Sequence, residues 1–356
     1  MTRSSSIFCV LFLFLATACS RDQSLITLDL PGGTRLTFLE GERAARALTH
    51  DRSESYFTAI TLTDLAIQLK KPMAEFASRE QALVEYQEAL RGEVRSFTLD
   101  EITYLESVFQ RVNRLIYRFS PRVLPRRIGL IKVNGYSLGQ TAQFTRDDNI
   151  VLGTEMLTPA AEGELTDALI RAIFHIYSRE YAPQRQQLYE FMGYYPLPVS
   201  INEIAMPADF RDKLLLQPDA QAQHYVTSIA GIDAPYLLPL NTSVFHHFSI
   251  EATSAIHKTC GVYVVDQTPA GKYILRVNPD GSSTLSNAEL RQAIRQMDSN
   301  DKPSFIHPEF ALAWLFSSAV RSKEDADDAF AEAPETSDTT YKQLQIILKK
   351  IARTNG

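Results

Sequence analysis

The spacing of apolar and polar residues changes several times along the chain, and each change predicts an element. Residues 25–38 alternate between apolar and polar about Pro31-Gly32-Gly33, which predicts a β-hairpin. Over residues 42–119 the apolar side chains recur at spacings of three and four, which predicts two or three helices. Thr98 followed three residues later by Glu101 is typical of a capped helix start.

The middle of the chain begins with short apolar runs. Residues 128–133 predict a buried strand, and residues 142–152 predict two short strands joined by a turn at an Asp-Asp pair. The helical pattern returns over residues 162–180, where it is the clearest in the chain, and a shorter helix is expected over 184–192. This part therefore combines strands with helices.

The later part of the chain is less regular. Residues 199–260 are mixed and show no sustained period, whereas 262–265 and 273–277 read as paired strands. Helices are expected over 286–297, with the serine at its start as the N-cap, and over 308–321, which opens on a proline. The whole pattern predicts an α+β fold in which helices predominate.

The same pattern divides the chain into segments. Residues 1–18 are expected to be removed as a signal peptide, and residues 19–50 to form an anchor and the N-terminal hairpin. Residues 51–321 form the main domain. Residues 322–340, which are rich in Asp, Glu, Ala, Ser and Thr, predict an acidic linker, and residues 341–356 predict a C-terminal helix.

Composition narrows the class of protein. The chain has 356 residues, of which 45% are hydrophobic and 22% charged, so most of it has enough apolar surface to bury a core. Its formal net charge of -6 argues against nucleic acid as a partner, because such partners require a basic surface.

The N-terminus predicts where the protein resides. An apolar run over residues 7–15 follows Arg3, and it is too short to span a bilayer as a helix, which needs about 20 residues. Residues 15–19, Leu-Ala-Thr-Ala-Cys, resemble the bacterial lipobox, in which the cysteine is acylated and becomes the new N-terminus. The resemblance implies attachment to a membrane through lipid on Cys19. Ser20 follows in place of an acidic residue, which in Gram-negative lipoproteins implies the outer membrane; an ordinary secretory signal is the alternative.

Other reactive residues give weaker signals. Cys260 lies in an apolar stretch and is expected to be a buried structural thiol without a disulfide partner. His246, His247, Glu251 and His257 are close in sequence, but the strand-like pattern around the first two would direct neighbouring histidines to opposite faces. We therefore expect these to be surface residues and not a metal site.

Four segments, in the same order along the chain, resemble a group of bacterial zinc-metallopeptidase-like lipoproteins with an HExxH helix. Residues 169–193 resemble that helix and the Ser-Arg, Leu-Tyr and Gly that follow it. Residues 131–147 resemble the Lys-Thr-x-Gly and Tyr-Thr-Arg segments, 217–220 resemble Asn-Pro-Asp-Ala, and 307–313 resemble His-Pro-Glu-Glu-x-x-Ala. The resemblance covers about residues 50–320 and implies a zincin-like helical core with short strands.

The residues that would perform the chemistry are replaced in this chain. In HExxH the two histidines bind zinc and the glutamate polarises the metal-bound water. The aligned residues here are Arg171, Ala172, Ile173, Phe174 and His175, so only the second histidine remains. Arginine is permanently cationic and alanine has no carboxylate, so neither can take the original role. His175 alone is expected to be a hydrogen-bonded structural residue.

The downstream ligand is also altered. If the second glutamate of the His-Pro-Glu-Glu segment binds the metal, its equivalent is Phe310, and Glu309 is the only carboxylate left at this place. One histidine and one glutamate fall short of the three protein ligands that catalytic zinc takes. Arg171 could replace the lost metal charge by pairing with Asp167 or Glu309, or could form a solvent-exposed pair with Asp167.

Three functions follow from these observations. The first is a non-catalytic, membrane-anchored envelope lipoprotein, without cofactor, whose peptidase-like domain binds a peptide or an envelope protein. The second is an active envelope zinc metalloprotease with a different ligand set, in which case zinc is the cofactor. The third is a purely structural lipoprotein, which would be favoured if side chains fill the former active site.

Overall fold

The computed structural model describes residues 25–52, 55–135, 143–216, 218–220, 224–243, 258–297 and 307–327. The expected signal peptide, Cys19, the histidine-rich segment around His246 and the expected C-terminal helix lie outside these residues. Everything below refers to the described residues.

Ten α-helices and eleven β-strands are present in the described parts of the chain. The helices are α1 Gly41–Thr49, α2 Tyr56–Ala59, α3 Leu62–Leu69, α4 Arg79–Glu93, α5 Leu99–Phe119, α6 Glu162–Glu180, α7 Ala182–Phe191, α8 Ala208–Arg211, α9 Asn287–Met297 and α10 Pro308–Asp327. The strands are β1 Thr27–Asp29, β2 Arg35–Leu39, β3 Val94–Arg95, β4 Arg127–Val133, β5 Gln143–Arg146, β6 Asn149–Gly153, β7 Tyr194–Pro196, β8 Tyr225–Thr227, β9 Tyr236–Ser243, β10 Lys258–Gln267 and β11 Tyr273–Arg276. The fold is α+β and rich in helix, as predicted.

The first sheet is mixed, with strand order β1-β2-β4-β6-β5 and β3 paired to β4. Strands β1 and β2 form the predicted hairpin, and β5 and β6 form the second predicted pair. Strands β2, β4 and β6 run parallel, with Leu36 opposite Ile128 and Leu130 opposite Ile150. Helices α1 to α5 lie in the connection between β2 and β4, whereas the connection from β4 to β6 contains strand β5.

Both faces of this sheet are covered, which explains why β4 is almost entirely apolar. Ile128 and Leu130 of β4 belong to the core shared with α5, α6 and α10. Ile131 and Val133 point to the opposite face, where they join the core formed with α1, α3 and α4. Alternate side chains of one strand thus fill two different cores.

The second sheet has strand order β11-β10-β9-β8-β7, and all of its pairings are antiparallel. The longest ladder joins β9 and β10, from Tyr236 opposite Val265 to Ser243 opposite Lys258. Its own core includes Phe210 on α8 together with Leu238 and Tyr273. Cys260 lies within β10.

Helix starts follow the expected capping chemistry. The Thr98 hydroxyl accepts a bond from the Glu101 N–H at 3.2 Å, and the Glu101 carboxylate accepts one from the Thr98 N–H at 2.8 Å. The Ser286 hydroxyl likewise accepts a bond from the Glu289 N–H at 3.3 Å at the start of α9. Both predicted caps are confirmed.

Two expectations for the elements are wrong, and one stretch for which no element was predicted contains strands. Residues 41–119 contain five helices and not two or three, partly because Lys70 ends α3 in a left-handed conformation just before Pro72. Helix α10 continues to Asp327, so the predicted linker 322–340 begins in helix. The irregular stretch 199–260 contains strands β8 and β9 and the start of β10, whose short runs lack a sustained period.

None of the helices in the described ranges combines the length and the apolar character that a membrane span requires.

Candidate functional site

Helix α6 carries the residues aligned with HExxH and runs through the main core. Ala172 is 1% exposed and packs among apolar side chains that include Phe174 of the same helix and Leu312 of α10. The position that the resemblance aligns with the general base therefore lies inside the hydrophobic core. A carboxylate there would be costly without a partner.

His175, one turn further along α6, contacts Glu309 in the first turn of α10. Its Nδ1 lies 2.7 Å from Oε1 of Glu309, and the two residues are 5% and 2% exposed. The hydrogen bond joins two helices across 134 positions of sequence. His175 is therefore buried and hydrogen-bonded, as expected for this position.

Glu309 accepts two further hydrogen bonds. The Ser178 hydroxyl donates to Oε2 at 2.6 Å, and the Tyr189 hydroxyl of α7 donates to the same oxygen. Burial raises the pKa of Glu309, but the hydrogen bonds and charge of His175, followed by the donors Ser178 and Tyr189, outweigh it and hold the pKa below its usual value. Glu309 is therefore a buried carboxylate surrounded by donors, and we call these four residues the Glu309 network.

Aromatic rings surround the Glu309 network. The Phe310 ring lies edge-on to His175 with centroids 5.7 Å apart, and edge-on to His307 at 6.1 Å. The His307 ring also contacts Tyr189 and Tyr225, at 6.3 and 6.0 Å. Side chains thus occupy the place where the resemblance would put a metal and its substrate.

Arg171 does not take over the charge of the metal in the way expected. Asp167 forms an ion pair with Arg321 at 3.3 Å, and Glu309 is held by its own network. No hydrogen bond or ion pair among the described residues involves the Arg171 guanidinium. Desolvation lowers the pKa of Arg171, against the field of Asp167 and of Asp219. Both predicted pairings of Arg171 are therefore wrong.

The other segments that carry the resemblance meet α6 through hydrogen bonds. Arg179 donates to the carbonyl oxygen of Asp147 at 2.7 Å and to the Thr145 hydroxyl at 2.8 Å. The N–H and hydroxyl of Thr145 both donate to Asp219 Oδ1, at 2.6 and 2.7 Å. The Thr-Arg-Asp, Ser-Arg and Pro-Asp-Ala segments therefore form one connected polar assembly.

A neighbouring arginine is held by aromatic rings. Arg146 is 1% exposed, and its guanidinium lies 3.8 Å from the centroid of the Tyr56 ring and 5.1 Å from that of Phe144. Its Nη1 donates to the carbonyl oxygen of Pro218 at 3.3 Å. Such a cation over rings contributes to packing and orientation. Lys132, in the remaining segment, pairs with Glu101 at 2.7 Å.

The residues present do not fit a catalytic zinc ion. Such an ion takes three protein ligands and a water, and a general base lies beside it. Arg171, Ala172 and Phe310 offer no electron pair, and Nδ1 of His175 is engaged by Glu309. Within the described ranges, no three His, Cys, Asp or Glu side chains come close enough together to hold a metal ion. We therefore derive no zinc chemistry for this site.

Ser178 and Tyr189 were not assigned a role from the sequence, although both belong to segments that carry the resemblance. The sequence feature that could have identified them is their position in the Ser-Arg and Leu-Tyr pairs. Tyr189 and Tyr194 are 1% and 2% exposed and therefore pack inside, whereas Tyr195 is 50% exposed. The sequence alone could not separate these tyrosines.

Comparison with known proteins adds nothing to this description, because no family model, no curated protein and no solved structure matches the chain.

Proposed function

We propose that this protein is a non-catalytic envelope lipoprotein, anchored to a membrane through Cys19, whose peptidase-like domain binds a peptide or a protein partner. The proposal combines the lipobox-like N-terminus with the replaced HExxH helix. Ser20, the residue that follows the cysteine, supports the outer membrane as the location of the protein.

The Glu309 network is the observation that carries the proposal. A hydrolytic zinc site needs ligand atoms that point into an open cleft and a carboxylate beside the water. Here the surviving histidine and carboxylate are bonded to each other, both are nearly fully buried, and Ser178 and Tyr189 complete the coordination of Glu309. Such an arrangement stabilises the packing of α6, α7 and α10. It leaves no free ligand atom and no general base for the hydrolysis of a peptide bond.

The rest of the domain supports a retained role in binding. Arg179, Thr145 and Asp219 are joined by hydrogen bonds that connect three of the segments on which the resemblance rests. A fold that keeps its internal polar contacts keeps the shape of its surface, which is what recognition of a partner needs. Side chains fill the place that the resemblance assigns to the active site, which favours the purely structural alternative over binding in that cleft. A binding protein built on this domain would therefore bind its partner on another surface.

The test is made on the purified chain from residue 20 onward. After incubation with excess zinc and removal of free metal, we expect substoichiometric zinc by elemental analysis and no chelator-sensitive cleavage of unfolded protein substrates. Near-stoichiometric zinc together with cleavage that a chelator abolishes would refute the proposal and support the active metalloprotease.

Binding is tested separately from catalysis. The same chain, immobilised, is exposed to envelope extract, and bound proteins are identified by mass spectrometry with heat-unfolded chain as the control. Proteins retained only by the folded chain support a binding role. If none is retained, the purely structural alternative replaces it.

A further inference from the structure

Two cavities adjoin on the first sheet, and arginine residues surround both. Their volumes are about 610 and 660 Å³, and they share Arg52, Arg127, Asp147 and Asp148. We call the combined depression the arginine groove. It is distinct from the Glu309 network, none of whose residues lines either cavity.

One wall of the arginine groove is a single face of helix α1. Arg43, Arg46 and His50 line the cavity at spacings of three and four, and all three are exposed. The opposite side carries Arg126 and Arg127, which are exposed at the start of β4. The rim of the groove is therefore cationic on both sides.

The floor of the arginine groove is apolar and tightly packed. Leu39, Ala47 and Ile128 line it, and Ile128 is 1% exposed. At Gly129 a Cβ would overlap the Asn149 amide oxygen, so the floor has no room for a side chain at this point. An apolar floor between cationic rims suits a ligand that carries both apolar and anionic groups.

Three of the four acidic residues of the groove are already paired; the fourth, Glu180, lines the second cavity and is exposed. Glu42 pairs with Arg91 outside the groove at 3.1 Å. Asp147 is buried and accepts from the N–H of Arg52 at 3.1 Å and from its Nε at 3.3 Å, and Asp148 is bonded to the same guanidinium. These contacts fix the wall between the two cavities, and Glu180 of the second cavity is the one acidic side chain of the lining with no ion pair among the described residues.

Two guanidinium groups on the rim remain uncommitted. Among the described residues, no hydrogen bond or ion pair involves the side chain of Arg46 or of Arg126. Each offers five donors in a planar fork that matches a carboxylate. A chain with net charge -6 thus presents a local cationic surface with unused donors.

We propose that the arginine groove binds an extended peptide segment in which acidic and apolar residues alternate. This assignment rests on the proposed function and names the partner. Side chains at i and i+3 of a helix lie about 5–6 Å apart, as for Arg43 and Arg46. Side chains at i and i+2 of a strand lie about 6.6 Å apart on one face, so alternating carboxylates reach successive arginines while the apolar residues face the floor.

The distribution of charge favours a peptide over a phosphate or a lipid surface. Phosphate sites gather several donors on one point, whereas these arginines are spread along two cavities. A flat anionic membrane would contact the rim but leave the apolar floor uncovered. A flexible peptide with regularly spaced carboxylates can contact both the arginines of the rim and the apolar floor.

The test uses the purified chain from residue 20 onward, which contains every described residue. Binding of a fluorescein-labelled peptide alternating Glu and Val is followed by fluorescence anisotropy and compared with its Gln–Val isostere. The variant Arg46→Gln/Arg126→Gln is compared with Arg114→Gln/Arg122→Gln, which removes the same charge at exposed positions outside the groove. Inorganic phosphate and phosphatidylglycerol vesicles are added as competitors.

We expect the Glu–Val peptide to bind more tightly than the isostere and to weaken with salt, because screening acts on exposed charges. Arg46→Gln/Arg126→Gln should weaken binding about tenfold, while the control pair should change it less than about twofold. Equal binding of the two peptides, equal effects of the two variants, or no binding would overturn the proposal. Displacement by phosphate or vesicles at the concentration of the peptide itself would overturn it in favour of that ligand.

The experiments distinguish a groove that does not bind the peptide from a proposed function that is wrong. Zinc content and proteolysis are measured on the same preparation. If the peptide does not bind and the protein lacks zinc, only the assignment of the arginine groove is lost. If the protein binds zinc and cleaves protein substrates, the proposed function is lost whatever the peptide does.

Discussion

Replacement of Glu309 by glutamine tests whether the Glu309 network holds the helices together. The carboxylate accepts from His175 at 2.7 Å, from Ser178 at 2.6 Å and from Tyr189, and it is 2% exposed. Glu309→Gln keeps the shape but removes the charge and places an amide N–H₂ against a donor. Hydrogen bonds to a charged group contribute about 1.5–3 kcal/mol each, and neutral ones about 0.5–1.5 kcal/mol.

The loss of charge from three bonds therefore costs about 3 kcal/mol, and relief from burying a charge offsets part of it. We expect Glu309→Gln to lower the free energy of unfolding by about 1–3 kcal/mol. The assay is urea unfolding followed by the fluorescence of Trp314, the single tryptophan, which lies on the same helix α10. Glu88→Gln, at an exposed position on α4, is the control and should change stability by less than about 0.5 kcal/mol.

The pH dependence gives a second measure of the same network. Because the pKa of Glu309 is lower in the folded protein than in the unfolded chain, its ionised form stabilises the fold above the unfolded pKa, about 4.3. This stabilisation is lost as the pH falls through the folded pKa. The difference between wild type and Glu309→Gln should therefore shrink below about pH 4. The reasoning would be refuted if Glu309→Gln were as stable as Glu88→Gln. It would also be refuted if the difference in stability between wild type and Glu309→Gln did not depend on pH.

Three further predictions concern packing, the former metal site and the anchor. Gly129→Ala should lower the free energy of unfolding by about 1–3 kcal/mol in urea, because its Cβ would overlap Asn149; an unchanged midpoint would contradict the packing at this point. Arg171→His/Phe310→Glu should gain zinc affinity measurable by calorimetry, since it adds two ligands beside His175, whereas Arg171→Gln/Phe310→Gln should not; equal affinities would count against the alignment. Cys19→Ser should abolish incorporation of labelled palmitate into the protein in cells, and retained label would show that Cys19 is not the acylated residue.

Much of the local structure could be predicted because its causes are local. Helix α6 was predicted with the bounds found, 162–180, from its apolar spacing. Strand β4 was predicted from its short, mostly apolar run, and the start of α5 from Thr98 and Glu101. Elements with no sustained period, such as β8, escaped prediction because tertiary pairing and not their own pattern holds them in place.

The chemical character of the positions aligned with HExxH was also readable from sequence, because the presence of a ligand atom is a property of the residue itself. Arg171 cannot coordinate a metal and Ala172 cannot act as a base, whatever the fold. The sequence could not show that Arg171 does not pair with Asp167. Asp167 pairs with Arg321 instead, which lies more than a hundred residues away along the chain.

Long-range contacts were decided only by the tertiary structure. His175 and Glu309 are separated by 134 positions, and the packing of α10 against α6 brings their side chains to 2.7 Å. The arginine groove likewise joins residues of α1, β4 and α6 that share no local pattern. The sequence determined which ligand groups the positions aligned with HExxH lack and where regular elements such as α5 and α6 begin, since these depend on residue type and spacing. Which of the remaining groups meet depends on how whole elements pack, and only the folded chain decides that.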